Sequence, residues 1–162
     1  MRRLMEGLLL SGLSMLLVGH SRPASGAEHH LSHYWEMVLL QQRRRALLHG
    51  AKVGVATVLM AQRYQALLPL TADEAAARLA QGQAPSAQTD AERIRAAYGA
   101  MAEASIARAV PPPEQLAAWL AAVQGPATPD QLGVEPALVE ASLQDALFVR
   151  NRFTILRLQR LL

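Results

Sequence analysis

A chain of 162 residues, 51% hydrophobic but only 4% aromatic, fits one domain, and a domain of this size withdraws about 68–70% of its unfolded surface from water. It contains no cysteine, which excludes a disulfide framework and a thiolate metal site. The net charge is +3, but the basic residues are scattered apart from Arg43-Arg44-Arg45 and an arginine-rich C-terminal segment, so neither the basic stripe nor the stacking aromatics of a nucleic-acid surface is present.

Alanine and leucine dominate, and both lose little side-chain freedom in a helix. The expected fold is therefore all-α, a bundle of seven or eight helices. Residues 2–18 read as a buried helix ended by Gly19. The same stretch, "MRRLMEGLLLSGLSMLLVG" followed by "ASGA", also has the outline of a secretory signal. Against that reading, Glu6 interrupts the apolar run, leucine and methionine recur nearly all round the helix, and the run is too short to span a bilayer.

A loop over 19–25 carries Pro23. "SGAE", residues 25–28, then has capping-box spacing, with Ser25 at the N-cap and Glu28 reaching back. His29, His30 and His33 fall in the first two turns of the helix that follows. His29 and His33 are i, i+4 neighbours on one face, and His30 points about 100° away. Trp35, Met37 and Leu40 are core candidates. "AKVGVATVLMAQRYQALL", residues 51–68, reads as a central buried helix starting near Leu47 or His49, in which Gly54 lets another backbone come close.

Further on, Thr71 or Asp73 caps a short helix over 74–80, and 82–88 is a loop by composition. Residues 91–110 are amphipathic. A helix starts after the prolines at 111–113 and ends at Gly125, and another over 136–153 runs on into the C-terminal segment. No strand alternation and no internal repeat are visible.

A metal site needs ligands from at least two elements, and neutral imidazole is a common one. His29 on one helix and His49 at the head of the next converge if the intervening segment turns back. The plainer alternative is that these are helix-terminus histidines with satisfied ring nitrogens, since no short spacing such as HExxH is present. By the same reasoning Glu28 is first a cap, and Lys52 first a solvated lysine.

The stretches "LSGLSMLLVGHSRPASGAEHHLSHYWEM", "LLHGAKVGVATVLMA" and "VRNRFTILRL" resemble the C-terminal domain of sn-glycerol-1-phosphate dehydrogenases, particularly the bacterial form. That family belongs to the superfamily of iron-containing alcohol dehydrogenases, glycerol dehydrogenase and dehydroquinate synthase. The HGxxVGxA pattern is superfamily-wide, whereas "SRPASGAEHHLSHYWEM" is specific to the glycerol-phosphate branch. The resemblance implies that His29 and His49 are metal ligands, for zinc or nickel. It also implies that His33 lines the site as a catalytic proton relay, and that NAD(P) exchanges hydride with a phosphorylated polyol or ketone, reducing dihydroxyacetone phosphate to glycerol 1-phosphate. For the substrate phosphate, Arg22, Ser25 with the free amides of its helix start, and Lys52 are the candidates.

The same resemblance makes residues 1–27 an internal helix and loop, and a cytoplasmic location the expectation, with secretion behind a cleaved leader as the alternative. Residues 1–162 form one helical metal-binding domain. The family's N-terminal Rossmann-like domain, with its glycine-rich turn and the aspartate that is the third metal ligand, has no counterpart in this sequence. The expectation is a fragment or split subunit, inactive alone, with a partner chain supplying the other domain, a homodimer as a further possibility, and no nucleic-acid or membrane partner. The competing readings are a helical interaction module that keeps the fold without the chemistry, and a domain of a related polyol or alcohol dehydrogenase.

Overall fold

The computed structural model describes residues 2–21, 24–67, 71–81, 110–150, 152 and 154–161. Among the described residues the chain is helical and has no strand, as its composition predicts. The helices are α1 (Arg2–Val18), α2 (Ala27–Gln41), α3 (His49–Leu67), α4 (Ala72–Gln81), α5 (Pro113–Ala122), α6 (Pro136–Asp145) and α7 (Ile155–Leu161), with short 3-10 turns at Asp130–Leu132 and Ala146–Phe148. The loop expected over 82–88 and the amphipathic segment over 91–109 lie outside the described residues.

The core forms where α2 and α3 pack on each other and against the C-terminal elements. Ala27, Leu31 and Trp35 recur every fourth residue and put one stripe of α2 inward, where it meets Val55, Ala56 and Met60 of α3 and Ala146, Leu147, Ile155 and Leu156. Fully burying side chains of Leu or Met size contributes about 1.5–3 kcal/mol each. Trp35 is completely enclosed, and its indole N–H donates to Ser142 Oγ at 2.9 Å, whose hydroxyl in turn donates to the Val139 carbonyl at 2.7 Å. That chain of donors fixes α6 against α2 with no polar atom of the indole left unpaired.

α5 closes on α3 at the glycine expected to permit it. A Cβ at Gly54 would stand only 3.0 Å from Leu120 Cδ2. The 42–48 link is pinned by Arg44, which donates to the Gly133 carbonyl at 2.7 Å. Gly133 adopts φ 69°, the left-handed conformation in which glycine carries no Cβ penalty. Thr71 caps α4 in a reciprocal box, its hydroxyl accepting from Glu74 N–H at 3.2 Å while its own N–H donates to the Glu74 carboxylate at 2.8 Å.

Four expectations are corrected. α1 forms and stops at Gly19, whose φ is 74°, but none of its residues is buried, and Leu16 and Leu17 are 79% and 88% exposed. Apolar content made the helix without giving it a covering partner among the described residues. Met37 and Leu40 are half-exposed rather than core, because two and five residues beyond Trp35 at 100° per residue they leave the buried stripe. The N-cap of α2 is Gly26, not Ser25, and it makes no side-chain capping bond. Finally, the helix expected to run on from 136 breaks at a 3-10 turn over Ala146–Phe148 before α7 begins at Ile155.

Candidate functional site

The 42–48 link brings the head of α3 back beside the first two turns of α2, where three imidazoles meet. Ring centres are 5.5 Å apart for His29 and His49, 5.6 Å for His33 and His49, and 6.4 Å for His29 and His33. The shared face of His29 and His33 is as their i, i+4 spacing predicts, and the turn-back on which the convergence of His29 with His49 depended takes place.

Glu28 sets the geometry at the α2 start. Its Oε1 accepts from Gly26 N–H at 2.7 Å and lies 2.8 Å from His29 Nδ1. Burial pushes the Glu28 carboxyl up, but the hydrogen bonds from His29 and the Gly26 amide outweigh it and hold the group below its usual range. In the neutral imidazole the ionised carboxylate keeps the proton on His29 Nδ1, so that Nε2 carries the lone pair. Only the glutamate half of the expected box forms, with the Gly26 amide as its donor. A Cβ at position 26 would lie 2.7 Å from Glu28 Oε2, so a larger residue there obliges the carboxylate to shift.

Partial desolvation, with the His29 and Lys52 charges close by, lowers the pKa of His49 and favours its neutral form. Neutral imidazole is the form that ligates a metal.

Lys52 is not the solvated lysine that helix statistics suggest. Its side chain is 1% exposed, and its Nζ lies 2.9 Å from Glu36 Oε1. The other oxygen of Glu36 is 3.4 Å from His33 Nδ1. The Lys52 ammonium, with a smaller contribution from His33, holds Glu36 below the usual carboxylate range against the opposing effect of its slight burial.

His30, on the other side of α2, is fully enclosed, and neither of its ring nitrogens has a hydrogen-bond partner. Burial, then the charges of Arg152 and Arg150, lower its pKa and keep it neutral. Of the phosphate candidates, Arg22 lies outside the described residues, and the Ser25 carbonyl accepts from Arg152 Nη1 at 3.1 Å. Sequence reasoning missed Arg152, whose Nη2 also donates to Ser21 Oγ at 3.3 Å and so ties the C-terminal segment to the loop before α2. Its only sequence signal was membership of the "VRNRFTILRL" stretch.

The donor chemistry suits a divalent ion. Metal–nitrogen bonds of about 2.0–2.1 Å in tetrahedral geometry put two ligating imidazole centres roughly 5 Å apart, and His29 and His49 stand at 5.5 Å. Among the described residues no three His, Asp or Glu side chains group into a complete metal-holding set.

No protein-family model matches the chain. Comparison with known proteins finds glycerol-1-phosphate dehydrogenase [NAD(P)+] of Geobacillus stearothermophilus, 46% identical over 158 residues, which are 96% of this chain and 37% of the relative. The enzyme of the same name from Bacillus subtilis is 41% identical over 157 residues, 97% of this chain and 35% of the relative. That of Halalkalibacterium halodurans reaches 61% identity over 64 residues, 40% of this chain and 16% of the relative.

The chain thus spans little more than a third of the length of the curated relatives it matches end to end. Fold and similarity together define an all-α segment consistent with the C-terminal part of those relatives. It is homologous to part of the glycerol-1-phosphate dehydrogenases.

Proposed function

We propose that this chain is the metal-binding helical part of an NAD(P)-dependent glycerol-1-phosphate dehydrogenase, acting on a phosphorylated polyol or ketone. The supporting observation is the 5.5 Å approach of His29 and His49, with His29 Nδ1 already engaged by Glu28. His29 and His49 would hold the ion, zinc or nickel. When bound, such an ion supplies Lewis-acid stabilisation of the substrate oxygen.

The chain's own residues supply the rest. Glu28 orients His29 so that Nε2 faces the ligand position. His33, its ring 5.6 Å from that of His49, lines the site and relays a proton at Nε2 to or from the substrate oxygen. The amides at the start of α2, with Ser25 and Arg22, meet the phosphate. A contact from Lys52 to that phosphate has to compete with Glu36, 2.9 Å from the ammonium.

The dinucleotide and a third metal ligand belong to a nucleotide-binding domain, which a partner chain or a further stretch of polypeptide supplies. Cytoplasmic placement and homodimer formation are parts of the same proposal. Among the described residues no helix is long and apolar enough to cross a membrane.

The test is NAD(P)H-dependent reduction of dihydroxyacetone phosphate by the purified chain. No turnover is expected alone, and turnover is expected on joining it to a nucleotide-binding domain of a homologous dehydrogenase. Measurable turnover by the chain alone, or none when joined, contradicts the reading.

A second reading, a helical interaction module without chemistry, draws on the exposed leucines of α1. It predicts that substituting both His29 and His49 leaves metal binding unchanged.

A further inference from the structure

An ammonium as enclosed as that of Lys52 is costly to bury unless a partner compensates it. Among the described residues the carboxylate within ion-pair distance is that of Glu36, at 2.9 Å. The ammonium has no aligned hydrogen bond to any atom, so the contact is an ion pair. Glu36 itself is about one-third exposed. Left to itself, such a carboxylate would rotate freely in water.

Here one oxygen is anchored by a lysine that has nowhere else to go. The other is thereby presented to His33 Nδ1 at 3.4 Å, within ion-pair distance and just beyond the usual N–H···O hydrogen-bond range. The sequence places these groups in register: Glu36 lies i+3 from His33 on α2, and Lys52 lies one turn into α3 from His49. The arrangement repeats what Glu28 does for His29 one turn earlier, at 2.8 Å from its Nδ1. Two carboxylate–imidazole pairs thus flank His49, whose ring centre is 5.5 and 5.6 Å from theirs.

We propose that Glu36 is a positioning residue of the histidine cluster, fixing the orientation and the Nδ1–H tautomer of His33, and that the buried Lys52 serves as the fixed counter-ion of Glu36 and not as a substrate contact. The proposal rests on the metal-site reading for its functional meaning. Its geometric content stands separately. Partners hydrogen-bonded to the far nitrogen of a ligating imidazole hold its tautomer and ring orientation, and a carboxylate held beside the Nδ1 of a site-lining imidazole acts on its tautomer in the same way.

The experiment compares the wild-type chain with Glu36→Gln and Lys52→Met, using long-range proton–nitrogen NMR of the histidine side chains and zinc titration. The expected result is an Nδ1–H tautomer for His33 in the wild type and a shift toward Nε2–H in both variants. His29 should keep its tautomer throughout, and because the proposed ligands are His29 and His49, zinc affinity should change by less than about 10-fold. An unchanged His33 tautomer in both variants overturns the proposal, whatever the affinities do.

If the chain binds no zinc at all, the metal-site reading fails, while the tautomer measurement still decides the role of Glu36. Should Glu36→Gln fail to fold because it strands the ammonium, the double variant Glu36→Gln/Lys52→Met removes the buried charge. A native-like His33 tautomer there equally overturns the proposal.

Discussion

His29 and His49, on separate helices, stand with their ring centres 5.5 Å apart, and Glu28 holds His29 from its outer nitrogen at 2.8 Å. The contact depends on the geometry of one short helix start. If the carboxylate is displaced, the tautomer and aim of His29 are lost with it.

Gly26→Ala should do this without touching the histidine. The φ of −100° at position 26 suits alanine, so the backbone is unstrained, but the new Cβ would meet Glu28 Oε2 at 2.7 Å. The expected outcome is a loss of about 0.5–2 kcal/mol in stability, comparable to losing a helix cap, together with a changed His29 tautomer. Chemical denaturation and side-chain NMR measure the two effects. Unchanged stability would show that Glu28 has another equally good position.

Glu28 also ties stability to pH. Its pKa in the folded chain lies below the ordinary 4.5, so the folded state binds the proton more weakly than the unfolded state. The stabilisation is fully present above the unfolded value and disappears as pH falls through the folded one. The stability difference between wild type and Glu28→Gln should therefore be level well above pH 4.5 and shrink as the pH falls below that value. Thermal melts across that range check it, and a difference that grows on acidification would reverse the assignment.

In the core, Ser142→Ala leaves the enclosed indole N–H of Trp35 without the acceptor it now has at 2.9 Å. A buried donor without a partner costs about 1–3 kcal/mol. Urea denaturation should show a lower midpoint with an unchanged slope. A variant as stable as the wild type would mean that the N–H finds another acceptor.

α1 carries nine large apolar side chains more than half exposed, from Leu4 to Val18. Such a surface promotes association. Sedimentation velocity should show concentration-dependent self-association of the chain, reduced in a Leu9→Glu/Leu16→Glu variant. A monomer at every concentration would remove the basis for treating α1 as an interaction surface.

These elements also show what a sequence discloses. The all-α fold was legible because alanine and leucine spacing dictates local helices, and the stripe through Ala27, Leu31 and Trp35 marks the buried face of α2. The pairing of His29 with His33 followed from their i, i+4 spacing. The approach of His49 depends on the path of the 42–48 link, which no local rule specifies, and the family resemblance supplied that expectation.

Burial was harder to read. Helix propensity made α1 apolar all round without saying whether a partner covers it, and Met37 and Leu40 looked like core until the angle of the buried stripe was fixed. Lys52 was misjudged for a different reason: charge predicts exposure unless a counter-ion waits inside, and Glu36 lies sixteen positions away on another helix. Arg152 carries no local signal for its contact with the Ser25 carbonyl, because the two are joined only by the tertiary fold.

The central claim is that His29 and His49 form the chain's contribution to a metal site. Its most direct test is calorimetric titration of the chain and of the His29→Ala/His49→Ala double variant with zinc. The account predicts one ion per wild-type chain and an affinity at least about 100-fold weaker in the double variant, beyond what loss of an outer orienting partner produces. Equal affinities in the two proteins would contradict it.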